Sequence, residues 1–349
     1  MQKIITVIVI IILLAGVACS RINGTANDIT FEESGKSDGS EIDLNAKSYE
    51  LSTSPVKAVI ITDINGRIND AAYIQSAWNG LNIAGEELGV QINYKSPSSS
   101  DEYTNIVNEA INEGASVIFA YGEDLADFIE SAASQNEFCY FVLLDFNNTG
   151  KELKNLKYVD FSEEGLGFLA GYFAALETKS GNIGFLGTDE NDSFIKELKA
   201  GFDFGVSESH VNANVYYEFC NSSEDEAVEK MKALEKNGCD IVFAPVGGFS
   251  AAVVDEAKAV KIIGCDVNQS YLSEEKVIAS AIRHFDVACY NIIKDVMQGS
   301  FKEGENIEGS VTDGYLEFEI TAEVGTDIKN SIAEVEEAIS NGRVNIPKS

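Results

Sequence analysis

Three aspartates each close an apolar run that reads as a β-strand: Asp63 after AVIIT, Asp145 after FVLL and Asp266 after IIGC. A carboxylate placed there is costly to bury unless it accepts hydrogen bonds, so the hydroxyls or amines of a small ligand are natural partners. A plainer duty fits the same placement: each Asp could cap the helix that follows or accept from a loop amide, and the residue types leave both open. Tyr121 closes SVIFA, Gly187 closes NIGFL, and Gly247, Gly248 and Phe249 follow VFAPV. In open parallel sheets ligands bind outside the carboxyl ends of the strands. All of these are therefore candidate cleft residues, provided the strands belong to such sheets.

The elements needed to position them are present. From Val56, short apolar runs alternate with amphipathic stretches: AVIITD, a helix from about Asp70 to Leu88, VQINY, a helix near Glu102 to Asn112, SVIFAY, a helix near Asp124 to Gln135, and YFVLLD. That is a β-α-β-α-β-α-β pattern. A second round follows a helix over Glu163 to Lys179, with NIGFLG, VYYEF, DIVFAPV, KIIGCD and VIASAI separated by helices. The expected fold class is α/β with two similar lobes, each a doubly wound parallel sheet whose strands are buried on both faces. The expected divisions are 55–162 for the first lobe, 163–282 for the second and 283–349 for a segment that crosses back and braces both. Two such sheets facing each other make a cleft.

Ahead of the lobes, Met1, Gln2 and Lys3 precede an apolar run from Ile4 through Ala18 that ends at Cys19. The run is roughly 15 residues, short of the about 20 a spanning helix wants, and Ala15, Gly16 and Ala18 suit a peptidase. Segment 1–19 resembles a bacterial lipoprotein signal, in which the cysteine after the cut is lipidated and becomes the new N-terminus. A plain membrane anchor is the alternative, and either puts the chain on the extracytoplasmic face of the cell membrane. Residues 20–54, rich in Ser, Gly, Asp, Glu and Asn, read as a flexible tether.

With 57 acidic against 25 basic residues the net charge is -32, a field that repels nucleic acid and anionic headgroups and favours a neutral or cationic small ligand. Beyond Cys19 the cysteines number five, with no C-x-x-C pair. An odd count argues against a disulfide framework, and their apolar settings suit buried thiols. His210 and His284 are too few and too far from the cysteines for a zinc site, so neither metal nor cofactor is expected. Gly165-x-Gly167-x-x-Ala170 imitates a dinucleotide fingerprint. Glu163 and Glu164 ahead of it would repel a pyrophosphate, and close packing of a connecting helix accounts better for those glycines.

The stretch NGRINDAAYIQSAWNGL, the run VDFSEEGLGFLAGYFAALETKSGNIGFLG, the segment IIGCDVNQSYL, then ASAIRHFDVACYNIIKDVMQGSF and the tail EVEEAISNGRVNIP resemble the basic membrane protein family. The resemblance runs in order through nearly all of the chain after the tether. It implies a periplasmic-binding-protein-like (type I) fold and a lipoprotein that serves an ABC transporter by binding purine nucleosides. In the family's N-terminal motif Asn69, Asp70, Gln75, Ala77, Trp78 and Gly80 agree, while Tyr73 stands for Phe, Ala72 for Ser and Ile74 for Asn. By resemblance Tyr73 stacks on the base, Asn69 and Asp70 bond the ligand or cap the first helix, and Asp145 reads ring N–H and amino donors. Asp266 would accept from two ribose hydroxyls. Arg283 would donate to a sugar oxygen and neutralise Asp266, or else form a salt bridge between the lobes. Phe249, after Gly247 and Gly248, would be the second aromatic wall. Trp78 reads as core.

The function so implied is capture of a nucleoside between two closing lobes and delivery to an ABC transporter permease. The alternative is a binding protein or sensor for another small polar solute such as a sugar. An extracytoplasmic enzyme such as a nucleoside hydrolase, using the strand-end carboxylates, is a third reading, against which the sequence shows no Asp cluster of the kind that would hold a metal.

Overall fold

The computed structural model describes residues 56–64, 72–146, 150–221, 223–302 and 305–348. Cys19, the signal and tether (1–54), Asn69 and Asp70 lie outside them. The first sheet is built from β1 (Lys57–Ile61), β2 (Gln91–Lys95), β3 (Val117–Tyr121), β4 (Tyr140–Leu144), β5 (Leu156–Phe161) and β11 (Ile307–Gly309), in the order β11-β5-β4-β3-β1-β2. The second uses β6 (Asn182–Gly187), β7 (Asn214–Phe219), β8 (Ile241–Phe243), β9 (Lys261–Asp266), β10 (Val277–Arg283) and β12 (Leu316–Ile320), in the order β12-β10-β9-β8-β6-β7. Read from β2 to β5 and from β7 to β10, the two orders are the same topology repeated. All pairings are parallel except β10 with β12. The expectation of strands buried on both faces holds for the central ones, whereas β2 and β7 lie at sheet edges and are partly exposed along their length.

Helices α1 (Ala72–Leu88), α2 (Tyr103–Asn112) and α3 (Ala126–Gln135) belong to the first lobe; α4 (Glu164–Glu177), α5 (Ser193–Glu208), α6 (Glu224–Lys236) and α7 (Ser250–Glu256) belong to the second. The last portion is shared. α8 (Phe285–Gln298) packs on α1 and β11 joins the first sheet, while β12 joins the second and α9 (Thr326–Ser340) packs on α4. The chain therefore passes between lobes three times, after β5, after β10 and between β11 and β12. Two strands had no counterpart in the sequence reading: β5, whose Lys157 and Asp160 interrupt the apolar run, and the three-residue β11.

The glycines of the false dinucleotide motif turn out to be a packing device. On α4, a methyl added at Gly167 would lie 2.1 Å from the Leu198 carbonyl oxygen, and one at Gly171 would lie 2.1 Å from that of Phe202. On α5, Gly201 and Gly205 meet the carbonyls of Glu164 and Phe168 at 2.0 Å in the same way. Four glycines let two helix backbones touch, which explains why α4 is buried nearly all round. Cys139, Cys220, Cys239, Cys265 and Cys289 are buried free thiols.

Candidate functional site

The carboxyl ends of β4 and β9 carry equivalent residues. Tyr140 on β4 and Lys261 on β9 hold corresponding register positions in the two sheets, so Asp145 and Asp266 are counterparts. Both adopt left-handed backbone, with φ of 56° and 72°, a conformation that Asp enters more readily than most residues because its side chain bonds locally. Such positions concentrate where a site dictates the geometry.

Arg283, at the end of β10 and 1% exposed, lies between these two aspartates. Its Nε donates to Asp266 Oδ1 at 2.8 Å, with Nη2 of the same group 2.7 Å from that oxygen. Nη1 donates to Asp145 Oδ1 at 2.8 Å and to Glu163 Oε1 at 3.2 Å, and Nη2 reaches the Tyr121 hydroxyl at 3.5 Å. A guanidinium has five N–H donors, and each of its three nitrogens already donates to a neighbour here. The Phe194 ring covers one face, 4.1 Å from the guanidinium carbon, and Phe285 lies at 5.1 Å. Arg283 thus joins Asp145 and Tyr121 of the first lobe to Asp266 and Phe194 of the second.

Glu163, in the first crossing, adds a third carboxylate to one cation. Burial pushes its carboxyl well above the usual range, against the pull of Arg283, and Asp145 and Glu197 push the same way. Glu197 on α5 is raised as well, by burial first. The two carboxyls are close enough to influence each other. Asp160 nearby is pushed up to about 6 by burial and then by Asp145.

Tyr73, in the first turn of α1, stacks on Tyr121 with ring centroids 4.1 Å apart and planes 20° apart. Its hydroxyl donates to Asp63 Oδ2 at 3.1 Å, while the Tyr121 hydroxyl donates to Asp145 Oδ2. Asp63 Oδ1 is buried without a hydrogen bond among the described residues, and burial raises its carboxyl. One turn along α1, the Ser76 hydroxyl donates to the Arg283 carbonyl at 3.1 Å and accepts from the Asp286 amide at 3.2 Å. The helix bearing Tyr73 is thereby fastened to the second crossing.

Of the residues expected from sequence, the structure gathers Asp63, Tyr73, Tyr121, Asp145, Asp266 and Arg283 into this one cluster. Gly247, with φ of 52°, supplies a left-handed turn beside α1, and Gly248 is exposed there. Phe249 packs against the core of the second lobe. Gly187 is tightly packed, since a methyl on it would sit 3.0 Å from Ile195. Trp78 is half-buried, edge-on to Tyr94 at 5.9 Å. Two members of the cluster were missed, Glu163 and Phe194. The repeated topology could have found the latter: Phe194 is the second residue of α5, the helix after β6, just as Tyr73 is the second residue of α1, the helix after β1. Asp192 caps α5 by accepting from the Ile195 amide at 3.2 Å and so sets Phe194 in the first turn.

The family model of the "ABC transporter substrate-binding protein PnrA-like" proteins matches residues 57–349. The chain belongs to that family. This substrate-binding protein is 28% identical over 330 residues to the ABC transporter nucleoside-binding protein BmpA of Lactococcus lactis, covering 87% of this chain and 92% of that one. It is 24% identical to basic membrane protein D of Borreliella burgdorferi, covering 81% and 86%. Among solved structures, an ABC transporter solute-binding protein of Aeropyrum pernix superposes with a TM-score of 0.72 at 19% identity, covering 84% of this chain and 94% of that one. One from Conexibacter woesei gives 0.71 at 15%, covering 84% and 99%. These two establish the two-lobed α/β fold. Among the described residues, no helix of this family member is long and apolar enough to cross a membrane.

Proposed function

We propose that this substrate-binding protein captures a purine nucleoside between its lobes and presents it to the permease of an ABC transporter, held to the outer face of the membrane by lipid on Cys19 and lifted from it by residues 20–54. The observation that carries the reading is the pairing across the lobes: Asp145 with Asp266 and Tyr73 with Phe194, of which Asp145, Asp266 and Phe194 meet Arg283 directly and Tyr73 stacks on Tyr121 beside it. The name of the Lactococcus relative supports it. A nucleoside has an apolar face for an aromatic ring, donors on the base for one carboxylate and paired hydroxyls for another.

The donor count gives binding a specific form. Because each Arg283 nitrogen already donates to a neighbour, a ligand oxygen gains strong bonding to it by displacing a contact. The Asp145 contact is the natural one to yield, since its side chain is the most exposed of the three carboxylates, 21% against 4% for the others. Asp145 is then free to accept from the base, and Asp266 stays on Arg283 while accepting from the ribose. Each lobe holds part of the ligand, so its differential affinity favours the closed arrangement.

Calorimetric titration of the full chain in mild detergent with adenosine, guanosine and inosine tests the proposal. Saturable binding of a nucleoside, with 2′-deoxy analogues weaker, is expected. Ribose binding as well as nucleosides would move the assignment to a sugar, and no binding of any nucleoside would refute it.

A further inference from the structure

A second site lies on the flank of the first lobe. Lys157 enters it from the amino-terminal end of β5, away from the strand ends that carry the interlobe cluster. There α8, β5, β11 and the connection to β12 border a groove of about 540 Å³ lined by Lys157, Asn291, Asp295, Glu305, Glu308 and Tyr315 among others. Lys157 is 4% exposed. Its ammonium lies 4.7 Å from the centre of the Phe301 ring and makes no hydrogen bond or ion pair with a described residue. Phe301 is itself held against Tyr140, with centroids 4.4 Å apart. The stem of Lys157 is buried while its ammonium is not among the sealed-off polar atoms: it opens into the groove, where a ligand can reach it, and partial burial pushes it below its ordinary range, against the attraction of Asp295 and Glu305.

None of the three carboxylates of the lining pairs with Lys157, and each keeps acceptor capacity beyond its present partners. Asp295 accepts from the Ser300 hydroxyl at 2.9 Å, Glu305 pairs with Lys302 at 2.8 Å on the surface, and Glu308 is exposed on β11. A simple anion attracted to Lys157 would be repelled by three carboxylates. A simple cation would satisfy the carboxylates and leave the ammonium unpaired. A ligand carrying both charges satisfies both sides, and an α-amino acid falls well within the volume.

We propose that this groove binds a small zwitterion, an α-amino acid or a molecule with the same carboxylate and ammonium, with its carboxylate on Lys157 and its ammonium among Asp295, Glu305 and Glu308. Tyr315 puts the occupant beside the crossings between lobes, because its carbonyl accepts from the His284 amide at 2.8 Å.

Titrating glycine, alanine, leucine, phenylalanine, glutamate and lysine into the full chain in mild detergent tests this by calorimetry. At least one should bind saturably, and Lys157→Met, which keeps the apolar stem on Phe301 without the charge, should weaken it at least tenfold. Circular dichroism reports whether that variant folds. Glu308→Gln, on the exposed edge strand, is a second probe and should weaken binding several-fold. Absence of binding by any of the six, or equal affinity in both variants and the parent, overturns the inference. Inosine titrated into the same samples reads the interlobe cluster separately, so losing one signal without the other says which assignment has failed.

Discussion

Replacing Arg283 with Met removes the one cation that three carboxylates share. Breaking a buried ion pair by deleting one partner costs about 3–5 kcal/mol, because the charge left behind is uncompensated. The structure says how that cost is divided. Burial favours the neutral form of Glu163, and the Asp145 side chain is 21% exposed, so Asp266, with a side chain only 4% exposed, bears most of it. Urea denaturation of parent and Arg283→Met at pH 7, followed by the fluorescence of Trp78, should therefore show a gap of about 3–5 kcal/mol. Adding Asp266→Asn removes the stranded charge and should recover most of that loss. A gap below about 1 kcal/mol, or one that Asp266→Asn leaves unchanged, would refute the assignment of Arg283 as the interlobe clamp.

Four further outcomes are expected. Tyr73→Ala should weaken nucleoside binding by about 1–3 kcal/mol, the worth of one aromatic stack on a base, in calorimetry. Gly205→Ala would put a methyl 2.0 Å from the Phe168 carbonyl and force α4 and α5 apart, lowering stability by about 3 kcal/mol in thermal unfolding. His284 is raised chiefly by its hydrogen bond to Asp286 and then by Glu317, at 3.3 and 3.0 Å. Its contribution, under about 1 kcal/mol after screening, is present below about pH 6.5 and lost as pH rises through the raised value, and His284→Gln should flatten that step in denaturation curves. Asp160, held up to about 6, destabilises the fold increasingly as pH climbs from about 4 to 6. Asp160→Asn should therefore stabilise at pH 7 by up to about 1 kcal/mol after allowance for solvent screening and have no effect near pH 3.

The central strands were legible because their signal is local. AVII, VIFA, FVLL and the run ending IIGCD are apolar throughout and bounded by polar residues, and a strand buried on both faces has that appearance. β5 escaped because Lys157 and Asp160 alternate with its apolar residues, one directed to a flank groove and the other toward the cluster. The three-residue β11 is too short to show a period. Phe249, expected as an aromatic wall by resemblance, is half-buried and packs against the second-lobe core. Phe194, unremarked in the sequence, covers Arg283 instead.

What the residues by themselves determined is a repeated βα grammar with an Asp closing one central strand of each half, because apolar runs, helical spacing and strand-end polar residues depend only on near neighbours. Which charges meet was decided by folding alone. Arg283 finds carboxylates 17, 120 and 138 residues away in sequence, and no local pattern records that three passages between lobes bring them within reach of one guanidinium. The raised carboxyl of Glu163 has the same origin, since it depends on burial and on a third acid beside a single cation, both properties of the assembled interior.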